Sequence, residues 1–298
     1  MQKLLVICGP TSTGKTRLAI GLAKKYNGEI ISADSRQVYR GMDIGTGKLF
    51  SAEVTIWGYD IADPNESFSV SNFLRFAEEK IQEVSSRGKL PILVGGTGFY
   101  IKAVIDGVPT ADVPVDSELR EELSLKNADE LLRILTKLDL QKAQSFNESD
   151  RANPRRLIRA IEVAQSIKPV TPDHSNSYNV CMIGLTASAD VLYQRVENSI
   201  LKRVELGVFN EVETILSRGI NWEDQSMSSL GYRQLRDVFK KVKTKDEAIE
   251  EWIAAEKKYV KRQLTWFKKD TRITWFEITS PKFESQVEEF IETWDNTI

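Results

Sequence analysis

Residues 9–16 read GPTSTGKT, which fits G-x-x-x-x-G-K-[ST], and no other segment restricts the surrounding fold so closely. The run before it, KLLVIC at 3–8, is short and apolar, as a buried parallel strand requires. The run after it, RLAIGLA at 17–23, has the apolar spacing of a helix. Strand, glycine-rich turn and helix form the context that turns this motif into a phosphate cradle. Successive backbone N–H groups point inward, and the helix N-terminus adds partial positive charge. The loop therefore predicts a di- or triphosphate ligand held by Gly9, Pro10, Thr11, Ser12, Thr13, Gly14, Lys15 and Thr16. Lys15 would reach the phosphate oxygens, and the Thr16 hydroxyl would help to hold Mg²⁺.

Further apolar, β-branched runs fall at 29–32, 90–94, 180–185 and 273–276, with helical patterns such as 69–86 and 189–202 between them. Strands alternating with helices predict an α/β fold, a P-loop parallel sheet with helices on both faces. Residues 116–166 break the rhythm, because they carry only helical patterns. They read as an all-helical insertion, which divides the chain into a first core part at 1–115, an insertion at 116–178 and a second core part at 179–298.

Composition narrows the chemistry. The one histidine, His174, sits in the polar stretch KPVTPDHSNS, so histidine triads and histidine metal clusters are not expected. General base work then falls to a carboxylate or to positioning and electrostatics. Cys8 and Cys181 lie in strand-like runs with no C-x-x-C pair, which predicts buried thiols rather than a zinc site or a disulfide. No apolar run approaches a membrane span and the first strand starts at once, so no signal peptide or membrane association is expected. The reading is a soluble cytoplasmic protein of a reducing compartment.

The net charge of −2 advertises no nucleic-acid partner, but an average hides local stripes. Residues 246–269 form one long amphipathic helix pattern whose later polar face holds Lys257, Lys258, Lys261, Arg262, Lys268 and Lys269. Trp266 and Phe267 are interleaved with them, a combination that suits a polyanion carrying bases. A second basic cluster, Arg151, Arg155, Arg156 and Arg159, lies on a helix expected to begin at Asn153-Pro154.

A P-loop alone admits kinases, GTPases, ATPases and transferases that hold a diphosphate leaving group. The guanine-motif mimic Thr136-Lys137-Leu138-Asp139 continues a helical pattern rather than ending a strand, and no D-x-x-G follows a strand. The strand at 92–94 ends in Gly95-Gly96-Thr97-Gly98, without the metal-holding Asp of a motor ATPase. The second strand ends in Ser32-Ala33-Asp34-Ser35-Arg36-Gln37. In open α/β sheets the carboxyl ends of strands line the ligand crevice, which would face Asp34 toward the P-loop. A local capping role for Asp34 is the alternative from this segment alone.

The segments GPTSTGKT, DSRQVYRGMDIGT, GGTGFY, RRLIRAIEV, GYRQ and KRQLTWFKK, in this order and spacing, resemble the bacterial tRNA dimethylallyltransferase (tRNA isopentenyltransferase) family over residues 3–276. The resemblance implies transfer of a dimethylallyl group from dimethylallyl diphosphate to the exocyclic amine of the adenosine 3′-adjacent to the tRNA anticodon. It further implies a Mg²⁺ cofactor, tRNA as partner and, as an expectation, a monomer. Asp34 matches the family's general base, and Thr97 a residue at the target nucleotide. Contacts to tRNA are implied for Asp34, Ser35, Arg36, Gln37, Thr97, Arg120, Arg155, Arg156, Leu157, Ile158, Arg159, Gly231, Tyr232, Arg233, Gln234, Lys261, Arg262 and Trp266. The helical insertion would sit near the anticodon loop. The segment GTGKLF departs from the family's usual GTAKP, and residues 54–60 depart from a stretch that is often histidine-rich. The rival reading is a P-loop small-molecule or nucleotide kinase, which would transfer phosphoryl and have no use for the basic-aromatic helix.

Overall fold

The structure is a computed structural model that describes residues 1–111, 113–166 and 178–295. Among these, β1 (Gln2–Cys8), β2 (Gly28–Ser32), β3 (Ile56–Trp57), β4 (Leu90–Gly95), β5 (Tyr178–Thr186) and β6 (Thr274–Glu277) form one sheet in the spatial order β3-β2-β4-β1-β5-β6. Every pairing is parallel, as the alternation of strands and helices predicts. Strand β1 lies between β4 and β5, with Cys8 level with Gly95 on one side and Gly184 on the other. Its residues 4–8 are fully buried, which explains their unbroken apolarity. Cys8 and Cys181 are free thiols, each pushed up to about 12 by burial.

Helix α1 (Lys15–Lys25) packs Ala19, Leu22 and Ala23 with Leu5, Ile7, Ile92 and Ile183 of the sheet. The C-terminal helix, Phe283–Asp295, adds Val287 and Ile291 to the same core. Helix α2 (Val70–Ser86) starts from a Ser69–Asn72 capping box, and its Phe73 stacks on Tyr100 of α3 (Gly98–Asp106), ring centroids 4.2 Å apart. The two-residue strand β3 carries no periodic signal and was not legible in the sequence. A buried carboxylate accounts for it. Glu29 of β2 accepts bonds from Trp57 Nε1, Arg87 and Lys89, all at 2.8 Å.

The chain divides into two compact units, Met1–Asp106 with Asn176–Ile298, and Gly107–Ser175. The second unit contains α4 (Ser117–Ser124), α5 (Ala128–Leu138), α6 (Leu140–Ser145), α7 (Glu148–Arg151) and α8 (Pro154–Gln165). Leu123, Leu131, Leu135, Leu157 and Ile161 form its core. It begins ahead of residue 116 because Arg159 reaches back to the carbonyls of Thr110 (2.8 Å) and Val113 (2.9 Å). Helix α8 starts as expected, with Pro154 in its first turn and the Asn153 side chain as cap. Asp139 of the guanine-motif mimic caps α6 by accepting from Lys142 N, a local role. The expected loop around His174 lies outside the described residues.

In this unit Glu162 is a buried carboxylate that the sequence reading passed over. It accepts from Arg120 Nε (2.6 Å) and Nη2 (2.8 Å), Arg159 Nη1 (3.0 Å) and the Asp116 amide (3.1 Å). Burial pushes its carboxyl up, but those donors outweigh burial and leave it below the usual range. Arg120 and Arg159 are therefore engaged in holding α4 and the 107–115 segment to α8. We expect Glu162→Ala to destabilise this unit by about 2–3 kcal/mol in urea unfolding. The cost stays below that of a fully buried pair because both guanidiniums keep a face in water.

Candidate active site

Strand β1 ends at Cys8, and Gly9 turns away with φ +134°, a conformation open to glycine. A Cβ there would stand 2.5 Å from the Leu185 carbonyl oxygen. Ser12 also takes positive φ, at 64°, and Gly14 begins α1 at φ 88° without any side-chain cap. The first amides of α1 therefore keep their donors for an anion. Thr13 is buried, and its hydroxyl closes the loop on the Pro10 carbonyl at 2.9 Å. Lys15 Nζ donates to the same carbonyl at 2.6 Å, so the cation lies inside the cradle. Crowding by protein lowers the Lys15 ammonium to about 8, opposed by the nearby Asp34 carboxylate.

One cavity of about 460 Å³ gathers Thr11, Ser12, Gly14, Lys15 and Thr16 with Asp34, Ser35, Arg36 and Gln37. It lies wholly within the sheet-bearing unit, at the carboxyl ends of β1, β2 and β4. Asp34 Oδ1 accepts from the Arg36 amide at 2.9 Å, which fixes the carboxylate's direction, and Asp34 lines the cavity. No helix starts at Asp34, so the capping alternative does not hold; its local bond closes a turn. Thr97 does not line the cavity. Its Oγ1 accepts the Ser35 amide at 3.1 Å, so it holds the turn that follows Asp34. Gln37 receives the Ser32 hydroxyl at 2.9 Å and reaches the Thr46 carbonyl at 3.3 Å, joining this turn to the glycine-rich segment after it.

That segment holds GTGKLF, where a departure from the resembled family's pattern was expected. The Lys48 side chain of GTGKLF is fully buried and bonds Asp43 (2.6 Å), Asp60 (2.7 Å) and the Tyr39 carbonyl (2.7 Å). Lys48 and Asp60, both in departing segments, are partners. Glu211 of the helix Val208–Ser217 receives the amides of Asp43 (2.8 Å), Ile44 (2.6 Å) and Gly45 (2.9 Å) and the Tyr232 hydroxyl (2.5 Å). The same packing reaches GYRQ. Tyr232 is fully buried and Gln234 nearly so, with Gln234 Oε1 accepting the Gly231 amide at 2.9 Å. Of these four residues Arg233 lines the cavity, while Gly231, Tyr232 and Gln234 lie outside its lining.

The sequence reading missed Arg203, Glu256, Tyr259 and Gln263, which also line the cavity. Arg203 comes from the helix Ala189–Glu205 and donates to the Gly45 carbonyl at 3.1 Å. The other three lie on the long basic helix, Lys245–Phe267. Glu256 and Gln263 interrupt the buried stripe of Trp252, Val260 and Phe267. A polar residue on a buried stripe was the available signal. Burial pushes the Glu256 carboxyl above its usual range, with Arg203 drawing it down and Asp34 adding to the rise. Lys15, Arg36, Arg203, Arg233 and Arg262 supply five cations to the cavity, against the carboxylates of Asp34 and Glu256. In a chain of net charge −2, that concentration marks a polyanion site.

Away from the cavity, Lys258, Lys261, Lys268 and Lys269 are exposed and form no ion pair among the described residues. Trp266 is 45 % exposed, and its ring lies against Gly98, where a Cβ would meet it at 2.2 Å. In the helical unit Arg155 and Arg156 are exposed, with Arg156 paired to Asp150, whereas Leu157 is core and Ile158 packs against it. Among the described residues no group of three or more His, Cys, Asp or Glu is placed to hold a metal, and no helix is long and apolar enough to cross a membrane.

A family model described as IPP transferase matches residues 37–270, and one described as isopentenyl transferase matches residues 2–57. The tRNA dimethylallyltransferases of Halalkalibacterium halodurans and Geobacillus thermodenitrificans are each 40% identical over 97% of this chain and 95% of theirs. The crystal structure of the tRNA isopentenylpyrophosphate transferase of Bacillus halodurans superposes with a TM-score of 0.73 at 38% identity, covering 99% of both chains. A eukaryotic dimethylallyltransferase acting on tRNA shares the fold, with a TM-score of 0.83 at 22% identity, over 98% of this chain and 80% of its own. By these matches the chain belongs to the tRNA dimethylallyltransferase family.

Proposed function

We propose that the protein transfers a dimethylallyl group from dimethylallyl diphosphate to the exocyclic amine of the adenosine 3′-adjacent to the tRNA anticodon. The observation that carries this reading is the meeting of the P-loop, Asp34 and five cations in one cavity. The loop amides, the α1 N-terminus and Lys15 bind the diphosphate and stabilise the charge it gains on leaving. The allylic carbon develops cationic character that its double bond delocalises. An exocyclic amine is a weak nucleophile because its lone pair is shared with the ring. It must be unstacked and aimed, which costs least in a loop. Asp34 accepts one amine proton as the C–N bond forms. Thr97 and Gln37 hold the turn that aims Asp34.

Thr16 supplies a hydroxyl at the cradle, and the absence of a His or Cys cluster among the described residues suits a hard ion completed by phosphate oxygens and water. Thr16 would hold Mg²⁺ there, and the bound ion would neutralise diphosphate charge. Arg36, Arg233 and Arg262 at the cavity, with Lys258, Lys261, Lys268 and Lys269 beyond it and Arg155 and Arg156 of the helical unit, are assigned to tRNA phosphates. The protein is taken to act in the cytoplasm as a monomer. A P-loop kinase would need the cradle but not this basic surface.

Incubation with labelled dimethylallyl diphosphate and unmodified tRNA, in parallel with labelled ATP and small acceptors, tests the reading. Label in tRNA supports it, and phosphate on a small acceptor refutes it. The RNA face makes a second prediction. Affinity for tRNA should fall with salt by a log–log slope of roughly −0.7 to −0.9 per phosphate neutralised. Replacing Lys261 and Arg262 together by alanine should flatten that slope by about one to two units while the diphosphate still binds. Equal slopes would make this helix face a solvated scaffold.

A further inference from the structure

The ladder between β1 and β4 ends at the pair Cys8–Gly95, where the two chains part toward the P-loop and the Gly96-Thr97 turn. Gln263 fills the gap. Its Oε1 accepts the Thr11 amide at 3.0 Å, and its Nε2 donates to the Gly96 carbonyl at 2.9 Å. A side-chain carboxamide presents one acceptor and one donor as a peptide does, so it extends the ladder where no backbone is left to do so. Gln263 is nearly fully buried, and Gly96 makes room for it. A Cβ on Gly96 would stand 2.4 Å from Gln263 Nε2. The linked strands carry the cradle on one side and, through the Thr97–Ser35 bond, the Asp34 turn on the other. The helix that bears Gln263 also carries exposed Lys258, Lys261 and Arg262.

We propose that Gln263 is a positioning residue whose carboxamide locks the phosphate cradle, the turn supporting Asp34 and the basic helix into one rigid joint. It touches no reacting atom. Its effect is to fix where the leaving diphosphate sits relative to the base. The proposal rests on the P-loop being the diphosphate cradle, and it adds a residue outside the loop on which that cradle depends.

The joint can be opened from either side. Gln263→Leu keeps the volume but removes both bonds, and Gly96→Ala displaces the carboxamide without touching the helix. Each should weaken binding of inorganic pyrophosphate, with Mg²⁺ present, by about tenfold. Each should also slow transfer at saturating substrates by at least as much and leave tRNA affinity within threefold of wild type. Amide exchange should rise at residues 9, 11–14 and 95–97 while the rest of the sheet stays protected. The double variant should be no worse than the poorer single one, because both substitutions remove the same link. Additive losses, or pyrophosphate affinity within threefold of wild type in both variants, would overturn the proposal. If Gln263→Leu fails to fold, Gly96→Ala alone decides by the same affinity and exchange measurements. Pyrophosphate binding reports the cradle whether or not transfer occurs, so failure of the assigned reaction would show separately, as wild-type protein that binds pyrophosphate and modifies no tRNA.

Discussion

Asp34→Asn should slow dimethylallyl transfer at saturating substrates by roughly 10²–10⁴-fold, the usual share of general base catalysis. Geometry should survive, because the asparagine oxygen can still accept the Arg36 amide that Asp34 Oδ1 accepts at 2.9 Å. What disappears is the second oxygen's basicity. Diphosphate and tRNA affinities should therefore stay within a few-fold of wild type. Single-turnover rates beside separate binding measurements check this. A near-normal rate would remove Asp34 from the chemistry and leave it as a turn residue.

Lys15→Ala should weaken diphosphate binding by about 10- to 150-fold, the equivalent of about 1.5–3 kcal/mol for a hydrogen bond to a charged group. The wild type carries a pH signature of the same cation. Burial lowers Lys15 to about 8, so the unliganded cradle loses its cation above that pH. Diphosphate affinity should fall as pH rises past about 8, by up to about tenfold per unit until the bound-state pKa is passed. In the alanine variant this decline should vanish. The stability effect has the opposite sign. The unfolded chain holds the Lys15 proton more tightly, so this group's contribution to stability rises with pH between about 8 and 10.5. Calorimetry of pyrophosphate binding across that range reads the first effect, and urea unfolding across it reads the second.

The P-loop, the alternation of strands and helices, and the helix start at Asn153-Pro154 were legible because local pattern and tertiary structure agree there. Asp34 was legible through its place after a strand end. Other parts depended on partners distant in sequence. The strand at Ile56–Trp57 exists because Glu29, 28 positions from Trp57, holds its indole. Tyr232 looked available for contact, yet Glu211 and the surrounding core take it inward. Arg120 and Arg159 were each expected to contact RNA, and Glu162 engages both. Glu256 and Gln263 were in view on a stripe already assigned to packing. Only the closeness of Thr11 and Gly96 shows what Gln263 does there.

The central claim is that one adenosine amine attacks one allylic carbon inside this cavity. Nuclease digestion and mass spectrometry of tRNA treated with the protein and dimethylallyl diphosphate test it most directly. The account predicts a single added five-carbon unit on the adenosine 3′-adjacent to the anticodon, attached at the exocyclic nitrogen and absent with Asp34→Asn over the same time. A unit found on another nucleotide or atom, or equal modification by the Asp34 variant, would contradict it.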